Sequence, residues 1–86
     1  MNIDELITNV KKKLKKNINI KKILIEDKTF LHRKHPGQES NKFHLKISIE
    51  SDDLKKLNRI ESNKKIYKIL AEELKNYIHS LQILIN

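Results

Sequence analysis

The sequence predicts an α+β fold in which helices pack on one face of a three-stranded sheet. Three patterns carry that expectation. Apolar residues recur at helical spacing over 3–16 and again over 66–77. They alternate strictly from Phe43 to Glu50, and β-branched isoleucines crowd residues 18–27. The resulting order is α-β-β-α-α-β: helix, strand, strand, short helix, helix, strand, within one domain spanning residues 1–86. Usual domains run to roughly 100–150 residues, and a chain this short hides only about 60–65% of its unfolded surface. Its core must therefore be compact.

The first helix carries Ile3, Leu6, Ile7, Val10 and Leu14 in one stripe. Asp4 and Glu5 fall in its first turn and lysines from Lys11 to Lys16 toward its end, which complements the helix dipole. Ile18, Ile20, Ile23 and Ile25 mark the first strand. Residues 28–42 hold the single Pro and the single Gly, and are long for a hairpin connection, a length usually tied to function. In the next strand Phe43, Leu45, Ile47 and Ile49 point to the core, while His44, Lys46, Ser48 and Glu50 point to solvent. Ser51-Asp52-Asp53 offers an N-cap for a short helix through Leu54 and Leu57. Ser62-Asn63 gives a second start signal, for a helix with Ile66, Tyr67, Leu70, Leu74 and Tyr77 on one side and Glu72 and Glu73 outward. Residues 78–85 close the chain as a strand.

A formal charge of +8 attracts nucleic acid and acidic protein surfaces alike, although the lysines are spread through every segment and also suit a solvated basic surface. The absence of cysteine removes disulfides and a catalytic thiol, and suits a reducing compartment. No apolar run reaches the roughly 20 residues that span a bilayer, and residue 1 onward lacks a signal-peptide pattern. The expected location is cytoplasmic, a mitochondrial one requiring a presequence already removed. One glycine cannot build a phosphate loop, Ser62 and Ser80 have no base at a diagnostic spacing, and the acid pairs read as caps or helix surface. The expectation is a protein that is not an enzyme.

The chemistry that remains is imidazole. His32 and His35 lie in the long connection and His79 begins the last strand, two points far apart in sequence. Neutral imidazole ligates iron and zinc, and its ordinary pKa near 6.5 leaves it mostly neutral at pH 7. His79 also shares parity with Leu81, Ile83 and Ile85, so a half-buried histidine bonded to the backbone is its structural alternative. His32 and His35 alone read as loop polar residues, and a zinc site made only from the three histidines is a further alternative.

The run Ile66-Tyr67-Lys68-Ile69-Leu70-Ala71-Glu72-Glu73-Leu74, followed by Ile78-His79-Ser80-Leu81, resembles the BolA family's helix ending in AEEL and its IHAL-type strand start. His32, the Pro36-Gly37 turn, Glu39-Ser40 and Phe43 are similar to its H-x-x-P-x-G-S-E-x-H-F loop and strand, and Ser51-Asp52 with Leu54 to its V-S-x-x-F turn. The resemblance covers nearly the whole length and implies a BolA-like fold similar to a class II KH domain. Departures fall elsewhere. The family's R-H-R triplet is Ser62, Asn63 and Lys64, and the glycine of its F-x-G turn is Lys56. Its histidine before Phe43 is Lys42, the loop has one extra residue, and two extra residues separate Phe43 from Ser51.

The resemblance further implies a monomer that forms a heterodimer with a monothiol glutaredoxin. The two share a [2Fe-2S] cluster held on one side by the glutaredoxin cysteine and glutathione, with no cofactor in the isolated chain. Carried over residue by residue, the ligands from this chain would be His79 and His32, with His35 as the alternate loop ligand. The long proline-containing loop looks like that of the bacterial and mitochondrial branch. Arg33, Lys34, Lys64, Lys65 and Lys68 would dock an acidic partner face, a reading from charge alone. The rival from another class is nucleic-acid binding by a transcriptional regulator through the KH-like, helix-turn-helix surface. Against it stand the missing GXXG loop and few stacking aromatics among Phe30, Phe43, Tyr67 and Tyr77, of which at least three look buried. Lysine alone gives weak, salt-sensitive binding.

Overall fold

The computed structural model describes residues 1–29 and 42–86. His32, Arg33, Lys34, His35, the Pro36-Gly37 turn and Phe30 lie outside the described residues. Helix α1 spans Ile3–Asn17, strand β1 Lys22–Asp27 and strand β2 Phe43–Glu50. Helices α2 (Asp52–Lys55), α3 (Arg59–Ile69) and α4 (Ala71–Asn76) lead into strand β3, Ile78–Ile85. The sheet order is β1-β2-β3, with β1 antiparallel and β3 parallel to the central β2. The expected α+β class and single layer of helices are what the molecule adopts.

The core follows the predicted stripes. Leu6, Val10 and Leu14 of α1 pack with Ile25, Leu45, Ile47, Ile49, Leu54, Ile66, Leu70 and Ile78. Register sets Ile25, Ile47 and Ile83 side by side across the three strands, so the centre of β2 lies beneath the helices. On the opposite face the same register aligns Leu24, Ser48 and Leu84, and both leucines are exposed. Ser51 caps α2 as expected: its hydroxyl accepts from Leu54 N–H and donates to Asn19 O at 2.8 Å, which ties α2 to the chain entering β1.

Three expectations need correction. First, the helix expected from Ser62-Asn63 begins earlier. Asn58 accepts from Glu61 N–H at 2.8 Å while the Glu61 carboxylate accepts from the Asn58 amide, a reciprocal cap. Ser62 is instead buried inside α3, one turn before Ile66, with its hydroxyl bonded to Asn58 O and Arg59 O. The second helix also breaks at Leu70, where φ −98 and ψ 18 end α3 and start α4. Second, none of the described aromatics is fully buried; Phe43 and Tyr77 are half-buried and Tyr67 is exposed.

Third, Glu73 is buried, whereas its charge suggested an outward place. It follows Leu70, the buried residue that opens α4, by three residues, so helical spacing sets it on the inner side. Lys13 of α1 makes this tolerable, its ammonium 2.6 Å from the Glu73 carboxylate. That hydrogen bond, with the Glu73 and Glu72 charges, raises the Lys13 pKa above the ordinary lysine value despite some desolvation. The stabilisation is therefore complete below about pH 10.4 and lost as pH rises through the raised native value. Removing the cation leaves a buried carboxylate unpaired, so Lys13→Met should cost about 1–3 kcal/mol at neutral pH. Thermal melts of both proteins from pH 7 to 11 check this. The wild-type advantage should shrink at the alkaline end, and an advantage constant across that range would contradict it.

Candidate metal-ligand site

Strand β3 starts irregularly. Phe43 pairs with Ile78, but the next residue, His44, pairs with Ser80, so His79 is an extra residue opposite β2. Simple alternation placed His79 with Leu81, Ile83 and Ile85. The bulge removes it from that set. Ile78 is buried among the core residues, Leu81 is half-buried, and His79 is exposed. The structural alternative for His79, a half-buried ring held by the backbone, is thus not what the strand builds.

The ring of His79 lies against that of His44, with centroids 4.9 Å apart and planes inclined by 58°. His44 Nδ1 is 2.6 Å from the Ser80 hydroxyl, the side chain across from it in the register. Either group can donate, depending on the imidazole tautomer. His44 was expected to face solvent; it is buried, at 4% exposure. Alternation correctly gave its face of the sheet, on the side away from the helices. It could not give the cover. As a residue of the central strand, His44 meets Ser80 and His79 on one flank and the end of β1 on the other. Lys28 N–H donates to His44 O at 2.7 Å, and His44 N–H donates to Thr29 Oγ1 at 3.2 Å. Asp27 fixes Thr29 in turn, accepting from its N–H at 3.0 Å and from its hydroxyl.

This geometry brings together two histidines, one expected to matter and one not. Only the strand register would have found His44, because its partner Ser80 lies 36 residues away. Thr29 and Lys42, the described residues flanking 30–41, both stand at the end of the sheet where β3 begins. Among the described residues, no group of three or more His, Cys, Asp or Glu side chains could hold a metal ion. The described part of the chain thus offers one exposed imidazole, backed by a second.

Helix α3 carries the basic residues of the expected docking face. Lys64, Lys65 and Lys68 are exposed, and Tyr67, whose hydroxyl donates to Leu81 O at 3.3 Å, holds this helix alongside β3. Lys64 precedes Tyr67 by three residues and so shares its side of the helix. No helix among the described residues is long and apolar enough to cross a membrane.

The chain matches the BolA-like protein family over residues 14–86. It is 32% identical over 83 residues to the DNA-binding transcriptional regulator BolA of Haemophilus influenzae, covering 96% of this chain and 75% of that protein. It is 26% identical over 84 residues to the chloroplastic protein BOLA1 of Arabidopsis thaliana, covering 94% of this chain and 52% of that one, so it spans about half of the plant protein. Among solved structures it is similar to the BolA domain of SufE1 from Arabidopsis thaliana, with a TM-score of 0.77 and 25% identity over 92% of this chain and 87% of that one. BolA1 from the same plant also gives a TM-score of 0.77, at 24% identity over 93% and 88% of the two chains.

Proposed function

Because the chain belongs to the BolA-like protein family, we propose that it is a non-enzymatic factor in iron–sulfur cluster assembly or trafficking, working as a heterodimer with a monothiol glutaredoxin. The cluster is cargo. One iron of a shared [2Fe-2S] centre would be held by the glutaredoxin cysteine and the glutathione thiol, the other by His79 and a histidine of the 30–41 segment, His32 or its alternate His35. The observation that carries this reading is the exposed ring of His79, set out by the bulge at the start of β3.

The chemistry suits a cluster that must be passed on. Imidazole in place of thiolate at one iron raises the reduction potential, as at Rieske centres. It also makes retention sensitive to acid, since protonation removes a ligand. His44 and Ser80 form a hydrogen-bonded pair behind His79, which restricts where its ring can go. Arg33, Lys34, Lys64, Lys65 and Lys68 would face an acidic partner surface. The test is to mix the protein with glutathione-loaded monothiol glutaredoxin, reconstitute iron and sulfide, and measure mass and visible absorbance by size-exclusion chromatography. A heterodimer carrying one cluster supports the reading; two separately eluting proteins defeat it.

A second reading has its own support, since the relative from Haemophilus influenzae is named as a DNA-binding regulator. The exposed lysines of α3 would then meet phosphates. Binding to a random duplex that collapses between 50 and 200 mM salt marks lysine background. A sequence-specific site that survives physiological salt promotes this second function.

A further inference from the structure

The far end of β3, about 20 Å from His79 at the rise of a strand, has a different character. Asn86 N–H donates to Ile49 O. In a parallel pair this directs the backbone groups of Leu84 and Asn86 toward β2 and leaves those of Ile83 and Ile85 on the outer edge. The Tyr67 bond to Leu81 O fits the same alternation and caps the edge two residues earlier. Beyond that cap, Ile83 and Ile85 present unpaired N–H and C=O groups among the described residues.

Edge strands are ordinarily protected by charge or proline. In β1, the other edge, Lys22, Glu26 and Asp27 do this. By contrast Ile78–Ile85 contains no charged residue and no proline, in a chain that is 35% charged. Its open edge borders a groove of about 420 Å³ between β3 and the α2–α3 connection. Leu54, Leu57, Ile83, Leu84 and Ile85 supply its aliphatic lining, and Lys55 and Arg59, both exposed, supply cations.

We propose that this groove takes an extended acidic segment of a partner protein, added as a fourth strand against Ile83–Ile85 with carboxylates on Lys55 and Arg59. Ladder bonds to the open edge give affinity, and alternate side chains of the incoming strand enter the aliphatic floor. The lining favours a peptide over single-stranded nucleic acid, since no aromatic side chain lines the groove to stack a base. A second copy of the chain is disfavoured by the +8 charge that both copies would carry. This surface is separate from the histidine end of the sheet and stands whether or not a cluster binds there.

The probe is a short fluorescein-labelled peptide alternating valine and glutamate, compared with its valine–lysine counterpart and with a short oligothymidine. Fluorescence anisotropy should show binding of the acidic peptide only. Amide shifts should concentrate at Leu54, Leu57, Ile83 and Ile85, with slowed hydrogen exchange at the last two. Lys55→Glu combined with Arg59→Glu lies on exposed helical positions and should weaken binding about tenfold with the amide spectrum otherwise retained. Tighter binding of oligothymidine, equal binding of both peptides, self-association through β3, or shifts confined to the His79 end would each overturn the proposal.

Discussion

Replacing His79 by alanine should abolish the visible absorption and circular dichroism of the cluster shared with glutaredoxin, while the two apoproteins still associate. The expectation follows from where the side chain sits. His79 is exposed on a strand bulge and contributes nothing to the packed core, so its loss should leave the fold and docking surface intact. On the proposed ligation it removes an iron ligand on this chain's side of the centre. Second-sphere changes at metal sites typically cost about 10–100-fold in affinity, and loss of a ligand itself should exceed that. His44 lies against His79 but is buried and bonded to Ser80, so it is a poor candidate to move outward as a substitute. Single alanine variants of His32 and His35 then identify the loop ligand: the one that matters should reproduce the loss, and the other should leave the spectrum unchanged. An unaltered spectrum in the His79 variant would remove it from the ligand set.

The second large effect concerns the scaffold. Ile47→Ala should destabilise the protein by about 2–5 kcal/mol, because the residue is wholly buried and flanked in register by Ile25 and Ile83. At the usual 0.05–0.15 kcal/mol per residue, a domain of this size has only about 4–13 kcal/mol in total. The variant should therefore melt more than about 10 °C lower, or fail to fold at 37 °C. Leu24→Ala, on the open face of the same sheet, is the control and should change stability by less than about 0.5 kcal/mol. Equal effects at the two positions in thermal unfolding would mean that the helices do not cover the face assigned to them.

Much of this architecture is legible in the sequence because local pattern and burial agree. The alternation from Phe43 to Glu50 is the observed β2, and the stripe of Leu6, Val10 and Leu14 is the buried face of α1. Ser51 caps α2 where its side chain chemistry suggested. What pattern reading lost were features decided by neighbours distant in sequence. Glu73 is buried because Lys13 of another helix neutralises it, and His44 because Ser80 and His79 arrive from another strand. The bulge that frees His79 from the parity of Leu81 is a property of the β2–β3 pairing, and no residue type marks it. At Asn58 the signal was present, an Asn followed by Glu61 at capping-box spacing, but Ser62-Asn63 offered a competing one. The proposed role of His79 rests on the BolA resemblance, since neither pattern nor exposure decides it.

The central claim is that nitrogen atoms of this chain bind the shared cluster. Its most direct test uses nitrogen-15-labelled protein with unlabelled glutaredoxin and glutathione, reducing the reconstituted cluster and recording pulsed electron paramagnetic resonance. Ligation predicts strong nitrogen-15 hyperfine couplings of imidazole type, arising from two nuclei of the labelled chain. A reduced cluster bound in the complex but showing no coupling to the labelled chain would contradict the account.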